Sequence, residues 1–522
     1  MPEEQWTKVA RLSDLRNGVP VAARAGKAKV LLVLLDGRTY ACGDECTHYG
    51  GPLSQGLLVR RAVTCPWHNA RFDVRTGRMV APPALKGVTC YPTKVEGGDV
   101  FVGAARKPDA PAVAEDDGRT FVIIGAGAAG NMAAETLRDE GFGGRILLIT
   151  GEPDPPYDRP ALSKDFMAGE VTTKSLPLRN ARFYESRRIE LLTERRVTAL
   201  DPGERTVSFG DGTRVRFDAA LLATGGTPRR PDMPGADLPG VFLLRSLRDA
   251  EAIVEAAGKA GTAVVIGAGF IGMEAASSLR ARGLDVHLVA PGAVPMASVF
   301  GEQIGRWLQR LHEENGVRFH LENSVKAVTG NGKVQGVELS DGSRVAADLV
   351  VAGIGITPAI GYLQGTGLVE NGAVPVNGRL QTSAESVFAA GDIAVVPDPH
   401  GGELQRVEHW VVAERQGQHA ARAMLGSAEA YSEVPFFWTM QFGTLVKYAG
   451  FARQHDAFAV RGSVDGGDFL AGYYGGGRLK AVSAAGRAQE FIAASEVLRA
   501  GGTISAEQLR DQGTDLRGLL TR

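Results

Sequence analysis

A glycine-rich turn between a predicted strand and a predicted helix constrains this chain more than any other feature. The strand covers 121–124, and the turn reads Gly125-Ala126-Gly127-Ala128-Ala129-Gly130. A second predicted strand, 145–149, follows the helix and leads to the acid Glu152. In this setting the first glycine makes a tight turn, the second lets backbone approach a pyrophosphate, and the third lets helix and strand pack closely. The unit therefore predicts a bound dinucleotide.

The same unit occurs again near the middle of the chain. A strand at 264–266 leads into Gly267-Ala268-Gly269-Phe270-Ile271-Gly272, then a helix carrying Glu274 and a second strand at 286–289. Two such units imply two dinucleotides, one for each. Where an NAD site normally places an acid, the sequence has Ala290-Pro291-Gly292, and no arginine lies nearby for a 2′-phosphate. NADH versus NADPH is therefore open, and NADH is slightly favoured.

Cysteine usage sets the first hundred residues apart. They hold all four cysteines of the chain: Cys42, Cys46, Cys65 and Cys90. Cys46-Thr47-His48 and Cys65-Pro66-Trp67-His68 each offer one thiolate and one imidazole. These four side chains could form a tetrahedral zinc site. Zinc fingers, however, usually place a cysteine pair before a histidine pair, whereas the order here is Cys, His, Cys, His. The arrangement resembles a Rieske site, in which two cysteines hold one iron of a [2Fe–2S] cluster and two histidines hold the other. The resemblance implies Cys46, His48, Cys65 and His68 as the ligands.

This arrangement resembles a Rieske domain, and the resemblance covers about residues 6–104. Short apolar strands separated by turn residues predict an all-β domain there. High-potential members of that family carry a further cysteine in each ligand loop, whereas this sequence has Gly51 and Trp67 at those positions. The departure implies the lower-potential, ferredoxin-like branch. Cys42 and Cys90 are expected to be buried small apolar residues.

Composition limits the remaining possibilities. At 522 residues, the chain is expected to form about three or four domains. Its formal net charge of -1 predicts no general attraction to nucleic acid or to an anionic membrane. The acidic first residues, Met1-Pro2-Glu3-Glu4-Gln5, are not expected to act as a signal peptide, and no apolar run in the sequence is expected to span a membrane. We therefore expect a cytoplasmic protein without membrane contact.

Three further stretches resemble flavoprotein reductases that bind FAD at the first unit and a nicotinamide at the second. They are Pro156-Tyr157-Asp158-Arg159-Pro160 with Leu162-Ser163-Lys164, then Ala223-Thr224-Gly225-Gly226, and Val387-Phe388-Ala389-Ala390-Gly391-Asp392. Disulfide reductases of this fold carry a redox cysteine pair, but no cysteine follows Cys90. Val407-Glu408-His409-Trp410 and Val434-Pro435-Phe436-Phe437-Trp438 are similar to oxygenase-type ferredoxin reductases. Overall the chain resembles the apoptosis-inducing factor-like Rieske/FAD oxidoreductases.

That resemblance implies roles for individual residues. The cofactor-binding candidates are Gly125, Gly127, Gly130, Glu152, Arg159, Lys164, Thr224, Gly225, Asp392, His409 and Trp410 for FAD, and Gly267, Gly269 and Gly272 for NADH or NADPH. In related reductases a lysine near the reactive flavin nitrogen pairs with a glutamate, and those positions match Lys164 and Glu274. Trp438 is the third catalytic candidate, covering the flavin. His48 and His68 are expected to be exposed and to form the exit for electrons.

The predicted fold is multidomain, with an all-β Rieske domain, two Rossmann-like α/β domains for FAD and NAD, and a C-terminal α+β domain. The expected boundaries are 1–104 for the Rieske domain, 105–118 for a linker that permits movement, 119–245 and 373–430 for FAD, 246–372 for NAD(P), and 431–522 for the C-terminal interface domain. The predicted function is electron transfer from NAD(P)H through FAD and the cluster to an unidentified acceptor, for which a redox protein and an oxygenase are the candidates. Alternatives are a ferredoxin reductase serving a separate oxygenase or ferredoxin, and a redox-sensing interaction protein. A homodimer is a further prediction.

Overall fold

The computed structural model describes residues 6–106, 112–398 and 403–521. The predicted fold class is confirmed, because a region of strands precedes two α/β units and a C-terminal sheet covered by helices. The predictions for Met1 to Gln5, and for 107–111 of the linker, lie outside the described residues. Within the described ranges, no helix combines the length and apolarity needed to cross a membrane.

Residues 6–106, the described part of the N-terminal region, contain eleven strands. They are β1 (Thr7–Arg11), β2 (Val21–Ala25), β3 (Ala28–Leu35), β4 (Arg38–Gly43), β5 (Leu57–Val59), β6 (Ala62–Thr64), β7 (Arg71–Asp73), β8 (Met79–Ala81), β9 (Cys90–Tyr91), β10 (Thr93–Glu96) and β11 (Asp99–Val102). They form three antiparallel sheets in the orders β1-β11-β10, β2-β3-β4-β9 and β5-β6-β7-β8. One cluster loop follows β4 and the other joins β6 to β7, so both loops leave well-paired strands.

Cys42 and Cys90 face each other across β4 and β9 in the backbone register. Cys42 is buried among apolar residues, as expected, and burial raises the pKa of its thiol. Cys90 is only half-buried, because β9 is a two-residue edge strand, so the prediction of a buried residue is wrong there.

The first α/β unit begins directly after the linker. Its elements are β12 (Thr120–Ile124), α1 (Ala128–Asp139), β13 (Arg145–Ile149), α2 (Ala181–Ser186), β14 (Ile189–Leu192), β15 (Val197–Asp201), β16 (Thr206–Phe209), β17 (Arg214–Arg216), β18 (Ala219–Leu222) and β19 (Gly226–Pro228). The second unit has β20 (Val241–Leu243), α3 (Leu247–Ala257), β21 (Thr262–Ile266), α4 (Phe270–Ala281), β22 (Asp285–Val289), α5 (Ala297–Glu314), β23 (Val317–His320), β24 (Val325–Thr329), β25 (Gly336–Leu339), β26 (Arg344–Ala346), β27 (Leu349–Ala352) and β28 (Ile356–Pro358).

The chain then returns to the first unit and adds a last strand to its sheet. This part contains β29 (Val374–Pro375), β30 (Val387–Ala389), β31 (Ala394–Pro397), β32 (Leu404–Gln405) and α6 (Trp410–Met424). The two parallel sheets have matching orders, β14-β13-β12-β18-β30 and β23-β22-β21-β27-β20. Each fingerprint turn therefore lies at the carboxyl edge of a parallel sheet, where such folds bind dinucleotides.

The C-terminal region is one antiparallel sheet with helices on one face. Its elements are β33 (Phe436–Gln441), β34 (Thr444–Gly450), β35 (Ala457–Ser463), β36 (Asp468–Gly475), β37 (Arg478–Ala485), α7 (Ala488–Arg499) and α8 (Ala506–Arg510). Phe436 packs with the helix residue Phe491 on one face, whereas Phe437 packs with Phe270 and Phe300 of the second unit on the other. Apolar side chains on both faces bury the sheet between α7 and the second α/β unit.

Candidate functional site

The four predicted cluster ligands meet in two pairs. The thiols of Cys46 and Cys65 share a hydrogen bond, which lowers the pKa of Cys65 to about 7 and raises that of Cys46. The Nδ1 atoms of His48 and His68 lie 3.1 Å apart. No three His, Cys, Asp or Glu side chains of the described ranges converge on one metal position. Two thiols at one position and two imidazoles at another fit a two-iron cluster and argue against a single tetrahedral zinc ion.

Gly51 leaves the room that the cysteine pair needs. A Cβ at this position would lie 2.9 Å from Sγ of Cys65 and 3.0 Å from the indole of Trp67. Any larger side chain would push the two ligand loops apart. The close packing of the two loops therefore favours glycine at position 51, where high-potential members of the family carry a further cysteine.

The expectation that both cluster histidines are exposed is wrong. His68 is 8% exposed, and its ring centroid lies 4.4 Å from that of Trp438. His48 is half-buried, with its ring 6.0 Å from the same indole, and its burial lowers its pKa to about 4. The imidazoles face the reductase because the N-terminal region packs against the C-terminal sheet. Tyr49 and Trp67, at 43% and 40% exposure, form the solvent-facing rim of these loops.

A single cavity of about 1070 Å³ runs between the two α/β units and reaches the C-terminal sheet. This volume matches or exceeds ordinary ligand pockets, which span about 300–1,000 Å³. The predicted residues that line it are Gly125, Gly127, Glu152, Arg159, Lys164, Thr224, Gly225, Gly269, Glu274, Asp392, His409, Trp410 and Trp438. The cavity thus brings together residues that are far apart in the sequence.

The three remaining predicted glycines lie behind the cavity wall. A Cβ at Gly130 would overlap the carbonyl of Gly125, and one at Gly272 would overlap that of Gly267. By contrast, a Cβ at Gly127 or the equivalent glycine of the second unit would meet nothing within 4 Å. The first two positions serve helix–strand packing, and the open ones leave backbone N–H groups accessible to a phosphate.

The flavin side of the cavity carries a network of charges. Glu152 accepts hydrogen bonds from the Tyr157 hydroxyl at 2.5 Å and from Arg159 at 2.6 Å. Burial opposes its ionisation, but Arg159 and Tyr157 outweigh burial and lower the pKa of Glu152. Asp392 pairs with Arg245 at 3.1 Å. The sequence did not single out Arg245, which lies just before α3 and outside the motifs.

Lys164 and Glu274 form a buried ion pair. Their charged atoms lie 2.9 Å apart, with the side chains 12% and 4% exposed. Lys164 occupies a π-helical turn, Leu162–Phe166, in which its backbone is non-helical. Such turns are frequent at functional sites, and this one directs the ammonium group toward α4. The predicted pair is therefore present as a contact, and its role stays a prediction.

The aromatic side of the cavity lies where α6 meets β33. His409, directly before α6, stacks on Phe437 with ring centroids 3.9 Å apart. Burial lowers the pKa of His409 to about 3, so its imidazole is neutral. Trp410 and Trp438 also line the cavity. The three side chains can shape a flat binding surface for a flavin ring, and none supplies a charge there.

Charged side chains that the sequence did not point to fix the N-terminal region against the reductase. Lys447 of β34 is 2% exposed and donates to the carbonyl of Pro66 at 2.8 Å, and burial lowers its pKa to about 8. Arg71 pairs with Glu433, which also lies 3.5 Å from Arg415. In the sequence, the available signal for these contacts was Lys447, a lysine within the largely apolar strand β34.

The site defines a class of protein: a pyridine-nucleotide-dependent flavoprotein reductase with an iron–sulfur domain against its flavin cavity. The model for pyridine nucleotide-disulphide oxidoreductases matches residues 119–417, and the chain belongs to that family. The Rieske [2Fe-2S] domain model matches residues 5–92, and the reductase C-terminal model matches 436–520. The resemblance predicted from the sequence is thus confirmed, and the cofactors are FAD, a Rieske cluster and a nicotinamide nucleotide.

Relatives match either the whole chain or its reductase part. The chain is 36% identical to apoptosis-inducing factor 3 of Homo sapiens, over 96% of this chain and 85% of that protein. It is 36% identical to rhodocoxin reductase of Rhodococcus erythropolis, over 77% of this chain and 95% of that protein. The solved ferredoxin reductase for the CYP199A2 system of Rhodopseudomonas palustris is 33% identical, with a TM-score of 0.74 over 77% of this chain and all of that chain. The covalent putidaredoxin reductase–putidaredoxin complex also gives 0.74, at 30% identity over 78% of this chain and 99% of that chain.

Proposed function

We propose that this chain transfers electrons from a reduced nicotinamide nucleotide through FAD to its own Rieske cluster, and from the cluster to a separate acceptor. The contact between His68 and Trp438 carries this proposal. Trp438 lines the cavity that borders both glycine-rich turns. Its indole also packs against His68, a predicted cluster ligand. A cluster held by these predicted ligands would lie next to the flavin side of the cavity, so the proposed transfer needs no domain movement.

In this proposal the residues of the chain bind the two nucleotide cofactors, orient them and enclose them in the cavity. When bound, FAD takes up a hydride from the nicotinamide, and the cluster takes electrons one at a time. Gly127 and Gly269 leave space for the two pyrophosphates, while the Lys164 ammonium group places positive charge in the cavity. His409 and Phe437 stack on each other in the wall of the cavity. We propose that Asp392, paired with Arg245, binds the ribityl chain.

A preference for NADH is supported by the surroundings of the second fingerprint. Gly292 accepts a backbone hydrogen bond from Glu322, so an acidic side chain belongs to the loop beside the expected ribose position. Arg318 of β23 lies in register with His287 and pairs with Asp285 at 3.1 Å, near the start of β22 and away from the expected ribose position. It therefore does not offer a free guanidinium to a 2′-phosphate, and an anionic Glu322 in this loop would repel one.

The acceptor is expected to approach the rim formed by Tyr49 and Trp67, because the cluster histidines face inward. Electron exit through this rim distinguishes the proposed function from that of a reductase whose flavin passes electrons directly to a separate ferredoxin. That alternative is favoured by relatives such as the benzene 1,2-dioxygenase system ferredoxin--NAD(+) reductase subunit of Pseudomonas putida. A redox protein or an oxygenase is the proposed class of acceptor.

Loss of the cluster tests which of the two functions applies. In Cys65→Ser, NADH is expected to reduce the flavin at the wild-type rate. Delivery to added cytochrome c should fall by about tenfold or more, which is ~1.4 kcal/mol of barrier. Cys90→Ala is the matched control, since this cysteine lies outside the ligand pairs, and it should keep both rates. Unchanged cytochrome c reduction in Cys65→Ser would instead establish direct exit from the flavin.

The expected setting is the cytoplasm. The four cysteines all lie within the described residues and none of them forms a disulfide, which is typical of reducing compartments. A homodimer stays a prediction, checked by sedimentation of the full chain.

A further inference from the structure

A chain of buried hydrogen bonds extends from the Lys164–Glu274 pair into the C-terminal sheet. One carboxylate oxygen of Glu274 accepts from Lys164 at 2.9 Å and from the Ser163 hydroxyl at 2.5 Å. The other accepts from the Thr439 hydroxyl at 2.7 Å. Three donors from two other regions of the chain therefore fix both oxygens of this carboxylate.

The chain continues past Thr439 in one direction. The Gln441 amide donates to the Thr439 oxygen at 3.2 Å, and the Gln441 carbonyl lies 2.8 Å from Nε2 of His312 on α5. Because the threonine proton goes to the carboxylate, its oxygen must accept from Gln441, whose carbonyl must then accept from His312. Every donor therefore points toward Glu274.

This network lies in a dry part of the molecule. Thr439, Gln441 and His312 are each 0% exposed. Burial lowers the pKa of His312 to about 4, so the imidazole is neutral and the network keeps one arrangement at neutral pH. Burying three polar side chains costs free energy that valine, leucine and phenylalanine would avoid. Stability alone therefore does not account for their presence.

We propose that Thr439 and Gln441, oriented by His312, are positioning residues that hold Glu274, and through it the Lys164 ammonium group, at the flavin. Removing the Thr439 donor leaves one oxygen of a buried carboxylate without its partner. Glu274 then moves or draws Lys164 closer, which changes the charge presented to the flavin ring. The inference rests on the proposed hydride path and adds the residues that set its geometry.

Thr439→Val tests the proposal because it keeps the shape and removes the hydroxyl. With FAD bound, we expect a shifted flavin midpoint potential and flavin reduction by NADH slowed by about tenfold. Thr439→Ser restores the donor and should recover both values. Ser483→Ala is the matched control, since it removes another fully buried hydroxyl of the same sheet, bonded to Tyr473.

An unchanged potential and rate in flavin-loaded Thr439→Val would overturn the inference. If that variant loses FAD, Gln441→Met gives the same test one bond further away, with a smaller shift in the same direction expected and an unchanged potential contradicting the inference. Failure of the wild-type protein to accept electrons from NADH would refute the proposed function itself. The two failures are therefore distinguishable.

Discussion

Two aromatic side chains decide where electrons can enter the cluster. The rings of His68 and Trp438 lie 4.4 Å apart, and the indole also borders the flavin cavity. Replacing Trp438 by leucine removes the conjugated ring from this contact. The residue is thus a point at which the proposed path can be interrupted while the four cluster ligands and the fingerprint glycines stay intact.

We predict that Trp438→Leu leaves flavin reduction by NADH near the wild-type rate and slows cluster reduction by about tenfold or more. Stopped-flow absorbance under anaerobic conditions follows both steps. Trp307→Phe, a buried tryptophan packed on Phe469, is the control and should change neither step. Equal cluster reduction in Trp438→Leu and wild type would remove Trp438 from the path.

Lys447 acts on the cluster through its charge. Its ammonium group lies beneath the Cys65–His68 loop and favours the thiolate of Cys65 electrostatically. A buried positive charge stabilises the reduced, more negative cluster. Lys447→Met should therefore lower the cluster midpoint potential.

The expected decrease is on the order of tens of millivolts, since ~59 mV is a tenfold change for one electron. Potentiometry with EPR detection measures it, and Lys94→Met, an exposed lysine on the surface of the same region, should show no change. An equal potential in Lys447→Met with an intact cluster would contradict this role.

At the scale of elements, β33 connects the two halves of the site. Successive side chains of a strand point to opposite faces, so Trp438 meets the cluster histidines while Phe437 and Thr439 face the second α/β unit. Trp438 also pairs in register with Lys447, whose side chain holds the cluster loop. One strand therefore positions contacts to both the cluster and the Lys164–Glu274 pair.

The two fingerprint turns predict a matched pair of phenotypes. Gly130→Ala should abolish FAD binding, because its Cβ overlaps the turn carbonyl of the first unit. Gly272→Ala has the same clash in the second unit, so it should retain FAD and weaken NADH binding by about tenfold or more. Flavin absorbance and an NADH binding isotherm measure the two effects.

Gly210→Ala is the control, since its Cβ would have only an ordinary contact 3.8 Å from Thr198. It should bind both nucleotides normally. Loss of FAD in Gly272→Ala with normal NADH binding would reverse the assignment of the two units.

Local patterns predicted the elements well and their contacts poorly. The strand at 145–149 and the glycine turns follow from periodicity and backbone conformation, which neighbouring residues determine. The inward orientation of His68 depends instead on packing against a sheet more than 350 residues later in the chain. Thr439 and Gln441 could have been noticed as polar residues on the buried face of a strand, but their partners could not.

At the scale of the whole molecule, the N-terminal region is fixed against the reductase rather than loosely attached. Arg71 pairs with Glu433, Arg415 donates to the carbonyl of Asn69 at 3.3 Å, and the Tyr49 hydroxyl donates to Asp158 at 3.0 Å. The Arg71–Glu433 and Arg415–Asn69 contacts are buried or half-buried, so they are costly to break, whereas the Tyr49–Asp158 contact is exposed. These contacts do not favour the expected movement of the N-terminal domain on its linker.

Glu433 is the residue that tests this attachment. Burial opposes its ionisation, but Arg71 and Arg415 outweigh burial and lower its pKa to about 2. Glu433→Gln leaves two largely buried guanidinium groups without their anion and should lower the free energy of unfolding by roughly 3 kcal/mol. Urea denaturation measures it, and Glu255→Gln, in a fully exposed pair with Lys259, should give no measurable change.

The advantage of wild type over Glu433→Gln should depend on pH. Because the folded pKa is below the usual value of about 4.3, the stabilisation is complete above that pH and is lost as the pH falls toward about 2. A constant difference between the two proteins across this range would show that the carboxylate does not hold the regions together.

The central claim is an internal path from nicotinamide through flavin to the attached cluster. The most direct test is an anaerobic titration of the purified full chain with NADH, following flavin absorbance and the EPR signal of a reduced Rieske cluster. We predict that the flavin is reduced and that the cluster signal appears in the same titration without any added protein. Flavin reduction with a cluster that stays oxidised, or with no cluster signal at all, would contradict the claim.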